Sequence, residues 1–395
     1  MKLNFIKCSD MIDVRDGTHD SPKYVSNGFP LITSKNIKEN KIDFEDVNYI
    51  SLEDYEKINK RSKVEKGDIL MPMIGTIGNP VIVDDNGFAI KNVALFKLSD
   101  NNNLDSKYFY YFLKSDIALR QLQKNKRGGT QAFVSLGNLR DLKFPVVELP
   151  KQERIAEVLD KSQSLIDNRK KQIEELDLLV KSKFIEMFGD QNTNSKNLEK
   201  VYLKDISELI TKGASPNWQG IEYVDDDTQT LFVTSENVRE GYIDLSKKKY
   251  LMDAFNEKQK RSILNNGDFL INIVGASIGR AAQFNLDIKA NINQAVALVR
   301  IKKGLVNDKY MLEYLNSPKA LQMYKSMQVS VARANLSLQN INDLEILLPP
   351  MELQNQFANF VKQVDKLKFE MEKSLKELEE NFNSLMQKIF KVELL

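Results

Sequence analysis

The stretch from residue 29 to residue 160 is written a second time about 201 positions further on, and this duplication limits the folds open to the chain more than any single motif. Thr33-Ser34-Lys35-Asn36-Ile37-Lys38-Glu39, followed by Ile42 and Asp43, returns as Thr234-Ser235-Glu236-Asn237-Val238-Arg239-Glu240, followed by Ile243 and Asp244. Arg61-Ser62, Gly67-Asp68, Leu70 and Gly75 return at a spacing of 200 as Arg261-Ser262, Gly267-Asp268, Leu270 and Gly275. Further on, Lys107-Tyr108, Leu136, Asp141-Leu142, Gln152 and Ala156 meet Lys309-Tyr310, Leu338, Asp343-Leu344, Gln354 and Ala358. Solenoid and propeller units run about 20 to 50 residues, so a period this long makes each copy a complete domain with its own core. The chain reads as a pseudo-dimer, suited to a ligand of two parts that need not be identical.

Composition narrows the class. With 28% charged and 42% hydrophobic residues the chain is ordinary for a globular protein, and no run approaches the roughly 20 apolar residues of a membrane span. The N-terminal segment Met1-Lys2-Leu3-Asn4-Phe5-Ile6 lacks the apolar core of a signal peptide, so a cytoplasmic location is expected. One cysteine, Cys8, and one histidine, His19, leave no set of ligands for structural zinc and no basis for an internal disulfide. Net charge is only +2, so any contact with nucleic acid must rest on local patches. Such patches are Lys57, Lys60, Arg61 and Lys63 with their counterparts Lys258, Lys260 and Arg261, then Lys124, Lys126 and Arg127, and Lys247 to Lys249. Arg61 and Arg261 both precede a Gly-Asp turn, which points to a shared role.

Glycine and proline divide the chain into four segments. Up to residue 150, and again from 189 to 350, they punctuate short runs rich in Val, Ile, Phe and Tyr, such as Phe29 to Thr33, Asp68 to Ile74, Val81 to Val83 and Phe269 to Val274. These read as strands and turns, with helices over Ser106 to Gln123 and Asp308 to Tyr324. Between Pro150 and Gly189, and from Met351 onward, neither residue occurs, and both segments read as long helices. In the second, Phe357, Val361, Val364, Met371, Leu375, Leu378, Phe382, Leu385 and Ile389 recur at alternating three and four spacing, broken by Lys368. The first carries Ile155, Leu159, Ile166, Ile173, Leu176, Val180 and Met187, interrupted by Ser162, Arg169 and Lys183. Either the two helices pair with each other, antiparallel, or each lies along its own domain. Paired rods of about 50 Å would suit a two-part DNA site with an unread gap, since major-groove faces recur at about 34 Å.

The order of globular segment, long helix, globular segment, long helix resembles the specificity subunit of type I restriction-modification enzymes. The motifs that carry the resemblance are Asp16-Gly17-Thr18-His19-Asp20-Ser21-Pro22 and Gly213-Ala214-Ser215-Pro216, Thr33-Ser34-Lys35-Asn36-Ile37, Lys66-Gly67-Asp68-Ile69-Leu70, and the glycine pairs Gly75/Gly78 and Gly275/Gly279. The segments Leu149-Pro150-Lys151-Gln152-Glu153-Arg154-Ile155 and Leu348-Pro349-Pro350 close each copy. The resemblance implies an α+β fold with pseudo-twofold symmetry: a target recognition domain at 1–150, a spacer helix at 151–189, a second recognition domain at 190–350 and a second helix at 351–395, the helices forming an antiparallel coiled coil. It also implies a non-catalytic subunit that reads an asymmetric bipartite DNA target and docks two methyltransferase subunits and restriction subunits. S-adenosylmethionine, ATP and Mg would then belong to those partners. In agreement, the sequence holds no Gly-rich phosphate loop ending in Gly-Lys-Ser/Thr and no Asn/Asp-Pro-Pro-Tyr/Phe motif.

Groove readout needs exposed side chains with paired hydrogen-bonding atoms, Arg and Lys for guanine, Asn and Gln for adenine. The candidates in the first copy are Lys23, Tyr24, Ser34, Lys35, Asn36, Arg61, Thr76, Lys126, Arg127, Thr130 and Gln131. Those in the second are Asn217, Trp218, Gln219, Ser235, Asn237, Arg261, Ser277, Arg280, Arg333 and Asn335. For Asn36 and Asn237 the other reading is a turn cap, and for Trp218 a core residue. Glu236 in place of Lys35 implies that the halves read different sequences. The turn Gly75-Thr76-Ile77-Gly78, one residue longer in the second copy, is either a close backbone approach to a ligand or a hairpin turn. Apolar positions off the helical seam, Leu165, Leu178, Leu179, Phe184, Phe188, Phe360, Leu367 and Phe390, are candidate docking surface or pack on the adjacent domains. Two functions compete: a scaffold that binds only proteins, which predicts no salt-dependent DNA affinity, and a reader fused with its own catalytic domain, for which the sequence shows no nucleotide or S-adenosylmethionine fingerprint.

Overall fold

The computed structural model describes residues 4–38, 40–75, 78–124, 133–327 and 335–391. The chain divides into two units, Met1–Lys171 with Glu372–Leu395, and Gln172–Met371. No helix among the described residues is long and apolar enough to cross a membrane.

At the centre of the first unit is a four-stranded antiparallel sheet ordered Asp13–Asp16, Val93–Lys97, Ile69–Pro72, Val81–Ile82. Ala94 lies opposite Asp16 on one side and opposite Met71 on the other, so the first and third strands run the same way and end at the same end of the sheet. Side chains alternate between its faces: Ile69, Met71, Ala94 and Phe96 enter one core, and Leu70, Val93 and Leu95 another. Because both faces are covered, these strands read as continuous apolar runs. A second sheet, ordered Ala89–Ile90, Phe29–Ile32, Asn48–Ile50, Tyr24–Val25, has a parallel first pair, and Asn4–Lys7 pairs with Lys143–Val146 as a ribbon.

The second unit repeats this plan strand for strand. Its central sheet is ordered Ser207–Lys212, Val296–Ile301, Phe269–Asn272, Ala281–Gln283, its second sheet Tyr223–Val224, Tyr250–Leu251, Thr230–Val233, Ala290–Ile292, and its ribbon joins Glu199–Tyr202 to Glu345–Leu348. Phe269, Ile271, Ala297 and Val299 face one core, and Leu270, Val296 and Leu298 the other. The hairpin Ile37–Lys38 with Lys41–Ile42 survives here only as a bridge between Val238 and Ile243.

Each long run expected as one helix after the central sheet is two. Ser106–Lys114 stops at Ser115 and Asp116–Lys124 follows; Asp308–Leu315 stops before Ser317, and Pro318–Ser326 follows. The reason is local: the Ser115 and Ser317 hydroxyls accept from the backbone N–H of Ala118 and Ala320, starting a new helix at each place.

The two long helices are Leu149–Phe188 and Met351–Lys391. In the first unit, Ile155 and Leu159 of the former share a core with Met386, Ile389 and Phe390 of the latter, and Lys170 pairs with Glu379 at 3.0 Å. Numbers rise on one helix as they fall on the other, so the helices are antiparallel there. In the second unit Phe184 and Phe188 pack with Phe357 and Val361, and Lys368 meets Asp177 at 2.6 Å. Lys368, the break in the apolar seam, is therefore an ion-pair position. Each unit is closed by the start of one long helix and the end of the other. Phe390 lies 5.5 Å from Tyr108 and Phe184 5.5 Å from Tyr310, ring to ring. Phe184, Phe188 and Phe390 are thus core residues and not free docking surface, whereas Leu165, Leu178, Leu179 and Leu367 remain exposed.

Candidate nucleic-acid interface

Glycine sets the entrance to each candidate site. Gly17 follows the strand Asp13–Asp16, and a Cβ there would meet the Ile90 carbonyl oxygen at 2.3 Å; at Gly213 the Ile292 oxygen would be met at 1.8 Å. Only a glycine lets the chain turn this close to the neighbouring strand. The turn then carries residues 18–24 out at the end of the central sheet where the strand Ile69–Pro72 also finishes.

In the first unit this end is organised around a buried carboxylate. Asp16 is 4% exposed and accepts from the Arg61 guanidinium and from His19, whose Nε2 lies 2.9 Å away. The other His19 ring nitrogen, Nδ1, is 2.7 Å from Asn92 Oδ1, and Ser34 donates to the Asn92 carbonyl at 3.3 Å. Asn92 takes the left-handed conformation, φ 54°, which asparagine tolerates better than most residues. Lys91 Nζ donates to Ser21 at 2.8 Å, fixing the turn. Between that turn and the helix Leu52–Ser62 opens a cleft of about 500 Å³ lined by Asp16, His19, Ser21, Lys57 and Arg61. Lys23, Tyr24 and Lys35 are exposed nearby in sequence, Tyr24 at the start of the edge strand Tyr24–Val25.

The second unit builds the same end with different chemistry. Lys212 takes the register position of Asp16, opposite Ala297 as Asp16 is opposite Ala94. Arg261 therefore has no such carboxylate, and among the described residues it is exposed and forms no ion pair. The organiser is instead Asn272, fully buried, whose amide donates to the Ser235 carbonyl at 3.0 Å and to the Ser277 hydroxyl at 3.1 Å. Asn335 bridges to Val274, which brings it beside the turn Gly275–Ser277, and Arg280 is exposed on the far side of that turn. Glu236, the departure from Lys35, is paired with Lys249 at 3.3 Å.

Two sequence-based candidates have another task. Asn36 and Asn237 are nearly buried, and every hydrogen-bonding direction of their amides is used inside the loop: Asn36 Oδ1 accepts from the Thr33 N–H and hydroxyl, and Nδ2 donates to the carbonyls of Asp43 and Asp46. Asn237 repeats this with Thr234, Asp244 and Lys247. They hold the loop and cannot present a free edge to a base. Thr76, Lys126, Arg127, Thr130, Gln131 and Arg333 lie outside the described residues. Gly75, Gly78, Gly275 and Gly279 are left-handed, Gly275–Ser277 form a 3-10 turn, and Gly78 and Gly279 sit against Leu119 and Tyr324. Cys8 is buried in the first core, where burial pushes its thiol pKa up. Sequence reasoning missed Asp16, Asn92 and Asn272 as organisers, and Lys212 as the replacement for Asp16. An asparagine in the apolar run Phe269-Leu270-Ile271-Asn272 was a readable signal, since a buried amide draws specific partners, here the Ser235 and Val238 carbonyls and the Ser277 hydroxyl for its NH2, with Oδ1 left unpartnered among the described residues.

The family described as the type I restriction modification DNA specificity domain matches residues 2–178 and 195–380, one match for each copy of the repeat. The chain is 23% identical over 343 residues to the type I restriction enzyme EcoBI specificity subunit of Escherichia coli, covering 82% of this chain and 72% of that protein. It is 24% identical over 379 residues to the putative type I restriction enzyme MjaX specificity subunit of Methanocaldococcus jannaschii, covering 91% and 85%. Among solved structures, a chain from a study of complex assembly and conformational transition of the type I R-M system superposes over 100% of both chains with a TM-score of 0.64 at 17% identity. The type I restriction-modification S subunit from M. genitalium superposes over 98% of this chain and 96% of its own with a TM-score of 0.53 at 15% identity. With both copies of the repeat matched and the paired long helices in place, the chain belongs to the type I restriction-modification DNA specificity family.

Proposed function

We propose that this chain is the sequence-reading subunit of a type I restriction-modification complex, each unit contacting one half of an asymmetric bipartite DNA target. What supports the reading is that equivalent ends of two equivalent sheets, each with its arginine, Arg61 or Arg261, expose different side chains: His19 and Lys35 in one unit, Glu236, Arg280 and Asn335 in the other. Shared scaffolds position the protein on DNA in the same way, and differing polar groups distinguish bases. The chain itself catalyses nothing in this reading. It works in the cytoplasm with two methyltransferase subunits and with restriction subunits, which carry S-adenosylmethionine, ATP and Mg. The exposed leucines of the long helices, Leu165, Leu178, Leu179 and Leu367, are the surface offered to those partners.

The test is to express the chain with its methyltransferase partner and map methylated adenines genome-wide by single-molecule sequencing. A gapped motif with two different halves is the expected result. No methylation, together with no salt-dependent DNA binding by the purified complex, would overturn the reading and leave a protein-binding scaffold.

A further inference from the structure

The two units differ in length between Gly17 and Tyr24 in one and Gly213 and Tyr223 in the other. Tyr24 and Tyr223 occupy the same place in the second sheet, pairing with Ile50 and Leu251. Seven positions separate Gly17 from Tyr24, whereas ten separate Gly213 from Tyr223, so the second unit carries a three-residue insertion. Its tip is Trp218, 86% exposed.

An indole this exposed would normally belong to a loose loop, because large apolar side chains left in water contribute nothing to stability. This one is held rigidly. Asn217–Gln219 form a single 3-10 turn, closed by Gly220 in the left-handed conformation at φ 67°. The N–H groups of Gln219 and Ile221 donate to the Pro216 carbonyl at 2.9 and 3.1 Å. Lys258 Nζ donates to the Gln219 carbonyl at 2.6 Å, and Ile221 is buried with Phe232, Leu251 and Phe255. The turn is pinned at its base and presents the indole to solvent next to Lys258, whose sequence neighbours Lys260 and Arg261 are also exposed.

We infer that Trp218 is an aromatic contact to a DNA base, stacking on or wedging against one base step of the second half-site while Lys258, Lys260 and Arg261 hold the adjacent phosphates. The inference rests on the reading of the chain as a DNA reader. A pre-ordered aromatic ring loses little entropy on binding, and every base offers a face for it to stack on. Cations around it point to a polyanion. Absence of the insertion from the first unit fits a half-site contact better than protein docking, because a partner bound once per repeat would use features the repeats share.

The decisive experiment uses the full chain assembled with its methyltransferase and duplexes carrying the motif identified by methylation mapping. Trp218→Ala should weaken binding of the cognate duplex by roughly 5- to 150-fold, and Trp218→Tyr should recover much of the loss. The difference should vanish on a duplex whose second half-site is scrambled. 2-Aminopurine placed at successive positions of that half-site should change in emission at one position with the wild type and not with Trp218→Ala. Unchanged affinity for Trp218→Ala would overturn the inference, as would failure of that variant to assemble with the methyltransferase, which would assign the indole to a protein interface. A wild-type complex that binds no specific duplex would overturn the underlying reading instead, so the two failures are distinguishable.

Discussion

Asp68 and Asp268, the carboxylates of the repeated Gly-Asp turns, are buried and fully partnered. Asp68 accepts from the N–H groups of Glu65, Leu98 and Ser99 and from Lys97 at 2.6 Å; Asp268 accepts from the Asn265 N–H and from both Arg300 Nε and Nη2 at 2.7 Å. Removing one partner leaves the other charge buried and unpaired, so Asp268→Ala should lower stability by about 3–5 kcal/mol, measured by denaturant unfolding; a loss below that of an exposed ion pair would show that the turn tolerates water. Next to Asp68, the Glu65 carboxyl is held down to about 2, first by its hydrogen bond with Lys63 and then by Lys97. A carboxyl lowered in the folded state stabilises above its unfolded value and loses that contribution as pH falls toward the folded value. Wild type should therefore melt above Glu65→Gln at neutral pH, with the gap closing between pH 4.5 and about 2; a gap independent of pH would exclude the carboxylate as its cause. These residues also explain what the repeat made legible. Asn36/Asn237, Asp68/Asp268 and Gln152/Gln354 match because both units need them to fold, and Gln152 and Gln354 are buried where each long helix begins, donating to Val147 and Pro349. Side chains that distinguish the halves do not repeat, so the duplication is silent about them.

At the scale of elements, the long helices were readable because nothing in either segment breaks a helix and because the apolar spacing is regular. What the end of each helix packs against was not readable. Phe184, Phe188 and Phe390 lie off the seam by spacing, yet the same apolar chemistry that suits a partner also suits a core. Their burial makes the end of each long helix part of a core: Phe184 and Phe188 join the unit that follows them in sequence, and Phe390 joins the first unit, far away in sequence. Phe390→Ala should destabilise the first unit and Phe188→Ala the second, each by about 3–5 kcal/mol, whereas Leu178→Ala, 61% exposed, should cost little. Hydrogen exchange reads this directly: faster exchange in Tyr108–Leu113 for Phe390→Ala and in Tyr310–Leu315 for Phe188→Ala. Uniform acceleration across both units for either variant would show that the units do not unfold separately. The broken helices at Ser115 and Ser317 teach the same lesson at smaller scale, since an apolar period continues across a cap and hides the break.

For the whole molecule, what the duplication establishes is two units with separate cores, each carrying its own candidate interface at one end of its own sheet. Substitutions far apart with no shared partner act independently, so changes in one unit should alter one half of a two-part target. Arg280 and Asn335 are exposed beside the Gly275–Ser277 turn, whereas Arg261 stands on a different element with no carboxylate partner. Replacing Arg280 and Asn335 with alanine should relax base preference in a single half of the methylated motif, each lost base contact lowering discrimination by about 1–3 kcal/mol. Arg261→Ala should instead leave the motif intact, weaken binding across sequences, and reduce the slope of log affinity against log salt by about one. Methylation mapping of the three variants with binding titrations over a salt series separates these outcomes. Both halves relaxing together under the Arg280 and Asn335 replacements would mean that readout is coupled through the long helices rather than carried by each unit alone.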